Sequence, residues 1–171
     1  MMAMTITSLL LALTFVAFAA WRLDGLPESI SATVWALPRG GWRWLWTVWL
    51  WAVALLTLIP AIEILSRVDM EALGFGTLAC LMFCGSMPLF DRDNLKWHWI
   101  TGIAGCILSQ LCVAIISPWW LVAWALWTFL MGSTVIQPSD GDMRKLFKGK
   151  GVFVAEMICF ITVIGALLTC R

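Results

Sequence analysis

The chain has 171 residues, of which 62% are hydrophobic and 12% charged, and its formal net charge is +1. A water-soluble domain averages about 25% charged residues, so this composition cannot supply the polar surface of a soluble fold, and a single membrane domain is expected. No basic stripe of useful length occurs, which excludes a nucleic-acid-binding surface.

A bilayer core about 30 Å thick is crossed by roughly 20 residues of helix. Six apolar runs approach that length, at 3–21, 44–62, 72–90, 99–116, 119–136 and 152–170. Hydrocarbon offers the backbone no hydrogen-bond partners, so each run is expected as a helix. The predicted fold is all-α: a polytopic transmembrane bundle of six spans, with a short interfacial helix at about 27–37.

The first run ends in Ala17-Phe18-Ala19-Ala20, like the apolar core of a signal peptide. It lacks the basic segment that precedes such a core and reads as a true first span. The connection that follows, from Arg22 to Arg43, is the longest and contains Gly25-Leu26-Pro27-Glu28-Ser29-Ile30-Ser31. Pro27 suits the first turn of a helix, Glu28 suits the positive end of its dipole, and Pro38 stops it. About ten residues of helix are too short to cross. The segment should lie in the interface, or dip inward so that Glu28, Ser29 and Ser31 face a cavity between spans.

Pro60 and Pro88, near the ends of the second and third runs, are placed to kink those helices. Between the runs, Glu63 and Arg67 stand four apart and should pair. The next connection carries Asp91, Asp93 and the chain's sole histidine, His98, flanked by Trp97 and Trp99. A solvated turn beside an aromatic belt accounts for it, and an Asp/His set for a cation or for acid–base work is the alternative. Ser117-Pro118 divides the fourth run from the fifth, since proline breaks a helix there. In the fourth run Gly102, Gly105 and Ser109 form a small-residue face for close helix contact, and Gln110 should hydrogen-bond across helices. Glu156 is the fifth residue of the sixth run, about 6 Å below its edge at 1.5 Å per residue. Intramembrane acids usually face the bundle interior or a water-filled cavity. Pairing with Lys148 or Lys150 is the plainer role.

Six cysteines read as small buried side chains, because no close Cys-x-x-Cys spacing occurs and one histidine is too few for a metal set. Neither a metal nor another cofactor is expected. Thirteen tryptophans occur with no tyrosine. Most fit interfacial belts. Trp42, Trp46 and Trp49 share one helix face, and Trp120, Trp124 and Trp127 share another, so either stripe is a candidate lining for a flat apolar or cationic ligand.

The basic residues are sorted by side. Arg22, Arg39, Arg43, Arg92, Lys96, Arg144, Lys145, Lys148 and Lys150 fall in alternate connections, against Arg67 and Arg171 opposite. The positive-inside rule puts the larger set in the cytoplasm and both termini outside it, as for a protein of the bacterial inner membrane.

Through Pro27-Glu28-Ser29-Ile30-Ser31, Met87-Pro88-Leu89-Phe90 and the histidine that follows, the chain resembles small uncharacterised six-span bacterial membrane proteins. That resemblance implies the span count and no activity. Tryptophan-rich sensory proteins are similar in size, but their Trp-x-Pro-Pro motif is absent. The zinc set of ceramidase-like membrane hydrolases needs several histidines and cannot be carried over.

The leading functional expectation is a small channel, transporter or membrane-embedded ligand-binding protein. Its candidate site residues are Glu28, Ser29, Ser31, His98, Gln110 and Glu156, opening toward the cytoplasmic face. Membrane lipids are the expected partners, together with a second copy or a partner subunit. An accessory or scaffold subunit is the alternative. An enzyme acting on lipid head groups ranks third, because no nucleophile–base spacing is visible along the chain.

Overall fold

The computed structural model describes residues 1–38, 41–87, 95–136 and 150–170, the side chains of 131–136 excepted. The described residues form helices and connecting turns, without strands. The helices are α1 (Met2–Arg22), α2 (Trp44–Leu65), α3 (Glu71–Ser86), α4 (Leu95–Ile116), α5 (Trp119–Ile136) and α6 (Gly151–Thr169). Two short 3-10 turns cover Ser31–Ala36 and Ser66–Val68.

Among the described residues, four of the helices are long and apolar enough to cross a membrane: α1, α2 with its 3-10 extension, α4 and α6. The six expected runs thus yield four helices of spanning length. The third stops early for a local reason. Met87 precedes Pro88, whose ring disfavours α geometry in the residue before it. Met87 is accordingly extended (φ −102°, ψ 94°), and α3 ends after 16 residues. Pro88 itself, expected as a kink, lies outside the described residues. Pro60 does lie inside α2. Ser117-Pro118 separates α4 from α5 as expected.

Neighbouring helices alternate in direction. Ser8 of α1 meets Val53 and Thr57 of α2, while Phe15 stacks on Trp49 at 4.5 Å. Thr47 donates to the carbonyl of Gly85, and Trp51 to that of Met82, which ties α2 antiparallel to α3. Glycines set the closest approaches. A Cβ on Gly105 would lie 2.8 Å from Leu81, and one on Gly74 would lie 2.5 Å from Ile62. Gly165 of α6 lies directly under the Trp120 ring of α5. Helices that cannot gain from hydrophobic segregation in lipid associate through such close contacts and through buried hydrogen bonds. One core cluster gathers α1, α2 and the 3-10 turn around Trp46, Trp49 and Val34. The other joins α2, α4 and α6 around Leu58, Val113 and Ala166.

The expected interfacial helix over 27–37 is replaced by the six-residue 3-10 turn Ser31–Ala36. Local hydrogen bonds favour the tighter form. The Ala32 N–H donates to both the carbonyl and the hydroxyl of Ser29, and the Thr33 hydroxyl donates to the Ile30 carbonyl. Side chains of this kind compete with α-helical pairing, and 3-10 turns stay short. Leu37, before Pro38, is extended (φ −81°, ψ 146°). The turn does not lie along the surface. Ser31, Ala32, Thr33, Val34 and Ala36 are buried, and Trp35 alone faces outward, with the Arg43 guanidinium 4.6 Å above its ring. Of the three residues expected to face a cavity from this segment, Ser29 and Ser31 line one and Glu28 does not.

Candidate functional site

The first turn of α6 holds the segment that leads into the 3-10 turn. The initial N–H groups of any helix lack intrahelical partners, and the Phe153 N–H, one of these, donates to the Glu28 carbonyl at 3.0 Å. One turn later, Glu156 Oε2 accepts the Ile30 N–H at 2.5 Å. These two bonds fix residues 28–30 and thereby aim Ser31, the next residue, into the bundle.

His98, in the first turn of α4, meets Ser31 from the other side. Its Nε2 lies 2.8 Å from the Ser31 Oγ. Its Nδ1 faces two main-chain carbonyls, those of Cys84 at 3.0 Å and Met87 at 2.8 Å. The ring is 4% exposed, and the Cys84 thiol is 3.6 Å from Nδ1. Beneath it the Trp46 ring lies 6.3 Å away, centroid to centroid. Trp46 is held in turn by donation from Nε1 to the Thr33 hydroxyl at 3.0 Å. Carbonyl oxygens accept and never donate. Nδ1 therefore carries the proton of the neutral ring, and Nε2 presents its lone pair to Ser31.

Two neighbouring cavities border this cluster, of about 130 Å³ and about 410 Å³. Ser31, Cys84, Gly102, Cys106, Glu156 and Cys159 line both. The larger lies between α4 and α6 and also takes in Ser29, His98 and Trp99. Its outer rim is apolar and exposed: Ile103 is 54%, Ile107 57% and Val152 41% exposed. It is thus a mostly apolar chamber, open on the flank of the bundle, with a few polar groups at its inner end. Ligand pockets of small molecules have this composition and begin at about 300 Å³.

Three of the residues singled out in the sequence converge here: Ser31, His98 and Glu156, with Ser29 beside them. Glu28 contributes only its carbonyl, and its side chain is exposed. Gln110 lies deeper and lines neither cavity. It donates to the Cys159 carbonyl at 3.2 Å and accepts from Thr162 at 3.1 Å, joining α4 to α6 through the expected interhelical bond. The two tryptophan stripes divide differently. Trp46 and Trp49 are buried and line the smaller cavity, with Trp49 donating to the Leu11 carbonyl. Trp42 precedes α2 and is 57% exposed. Trp120 donates to Thr169 and stands 6.3 Å from Trp127, edge to face, and these two, like the half-buried Trp124, line neither cavity. Asp91, Asp93 and Lys148 lie outside the described residues. Glu63 and Arg67 are 3.9 Å apart at the far end of α2, in solvent.

Sequence reasoning passed over Cys84, Cys106 and Cys159 as cavity walls and Thr33 as the acceptor for Trp46. Small apolar residues on a helix carry no outward sign of bordering a chamber. Among the described residues no group of three His, Cys, Asp or Glu is arranged to hold a metal ion. No protein-family model, curated protein or solved structure matches this chain.

Proposed function

We propose that this chain is an integral membrane protein that binds an amphipathic, lipid-like ligand in the chamber between α4 and α6. The observation that carries the reading is convergence. Ser31, His98 and Glu156 come from three separate parts of the chain and border one apolar chamber whose rim is exposed on the flank of spanning helices. In a bilayer that rim meets acyl chains, so an apolar tail has a route in from the side while the polar cluster receives a head group.

The finer topology belongs to the same proposal. Six membrane passages, with α3 and α5 as short ones, put Arg22, Arg43, Lys96 and Lys150 at the end where the cluster lies. By the positive-inside rule that end is cytoplasmic, the site opens toward the cytoplasm, and both termini lie on the opposite side. The setting is a bacterial inner membrane.

A photoreactive phosphatidylcholine with a diazirine on its acyl chain tests the binding in proteoliposomes. Crosslinks should concentrate on 99–107 and 151–159. Ala155→Trp, which fills the exposed rim of the chamber, should remove them. Crosslinks spread evenly over all apolar helix faces, and unchanged by Ala155→Trp, would overturn the reading.

A further inference from the structure

We propose that Ser31 and His98 form a nucleophile–base pair that cleaves carboxylic esters of the lipid-like ligand. The inference rests on the binding reading above and adds a reaction to it.

A serine hydroxyl is a weak nucleophile until a neighbouring base takes its proton, and the base must present an unprotonated nitrogen in hydrogen-bond reach. His98 meets both conditions. Its Nδ1 proton is committed to the carbonyls of Cys84 and Met87, which leaves the Nε2 lone pair on the Ser31 Oγ at 2.8 Å. In hydrolases built on this principle a third group fixes the tautomer and ring orientation. Here two main-chain carbonyls do so. One belongs to α3 and the other to Met87 just beyond it, so the ring is anchored to scaffold and not to a mobile side chain.

The serine is equally fixed. It opens the 3-10 turn, and the residue before it is held by Glu156 through the Ile30 N–H. A structural tether between α4 and this turn would need no chamber beside it. Both Ser31 and His98 line the chamber of about 410 Å³, with Trp99, Ile103 and Ile107 along the wall that leads outward. An acyl chain entering by that wall brings its carbonyl to the polar end.

The step balances without any further reagent than water. Ser31 Oγ attacks the carbonyl carbon as His98 Nε2 takes its proton, giving a tetrahedral adduct. The adduct collapses by breaking the bond to the alcohol oxygen, which leaves with the proton from Nε2. Water, deprotonated by the same nitrogen, then cleaves the acyl-serine. A carboxylic acid is released and Ser31 is restored.

The test is covalent labelling of the purified full chain in nanodiscs by a long-chain alkyl fluorophosphonate, whose phosphorus is attacked by an activated serine with loss of fluoride. The expected result is mass-spectrometric modification at Ser31. It should be absent in Ser31→Ala and slowed about 100-fold in His98→Gln, the scale of general-base assistance. Wild-type protein that is monodisperse and crosslinks the photoreactive lipid, yet carries no label on Ser31, would overturn the reaction and leave the binding reading standing. Labelling at Ser31 that persists unchanged in His98→Gln would also overturn it. Absence of the chamber crosslinks from the wild type is what would sink the binding reading itself.

Discussion

The bond between Glu156 and the Ile30 N–H can be weighed by two substitutions at one position. Glu156→Ala removes the acceptor and leaves an N–H that is partly buried, without its partner. An orphaned buried donor costs about 1–3 kcal/mol. Each 1.4 kcal/mol is a factor of ten in an equilibrium constant, so local opening of the segment should rise roughly 5- to 150-fold. Glu156→Gln keeps a carbonyl oxygen on a side chain of the same length, and opening should change by no more than about threefold. Hydrogen–deuterium exchange in nanodiscs reads this directly in peptides covering 28–37. The second clamp, from the Phe153 N–H to the Glu28 carbonyl, persists in both variants. The effect should therefore stay local, with exchange in the middle of α2 and α6 unaltered. If Glu156→Ala leaves exchange of 28–37 as in the wild type, the carboxylate does not hold this segment. If the Gln variant opens as readily as the Ala variant, the acceptor geometry inferred here is wrong.

Thr33→Val is nearly isosteric but strips the acceptor from the Trp46 indole, which is 1% exposed. Thermal unfolding in detergent should show a loss of about 1–3 kcal/mol, and the double variant Thr33→Val/Trp46→Phe should recover part of it. Gly105→Ala places a methyl 2.8 Å from Leu81. Overpacking at such a contact costs about 1–3 kcal/mol, and a paired Leu81→Ala should relieve it in the same assay. For Ser8 and Thr57, 2.7 Å apart in the bundle interior, a double-mutant cycle should give a coupling of about 0.6 kcal/mol, the average for such bonds in membranes. A coupling of zero would mean the two hydroxyls do not meet.

Much of the framework was legible in the residue order. Uninterrupted apolar runs announce helices, because hydrocarbon leaves the backbone no other way to pair its polar groups. Ser117-Pro118 announced the break between α4 and α5, and Gln110 announced an interhelical bond. The third run was misjudged in length: a proline restricts the residue before it, and Met87, ahead of Pro88, leaves helical geometry. The segment 27–37 was misjudged in form, since the hydroxyls of Ser29 and Thr33 draw the backbone into a 3-10 turn that a propensity reading does not see.

The sequence by itself determined that this chain is all-helical, with helices long and apolar enough to cross a membrane, and that its basic residues gather in alternate connections. Periodicity and charge placement are local properties, and they suffice for that. Which polar residues meet was decided only by tertiary structure. Ser31 and His98 are 67 positions apart, and Ile30 and Glu156 are 126 apart. Contacts of such separation depend on how helices order themselves in space. So does the chamber between α4 and α6, which small residues of both helices, Gly102, Cys106 and Cys159, help to line. No residue along the chain marks a space. It takes opposing helix faces to leave one.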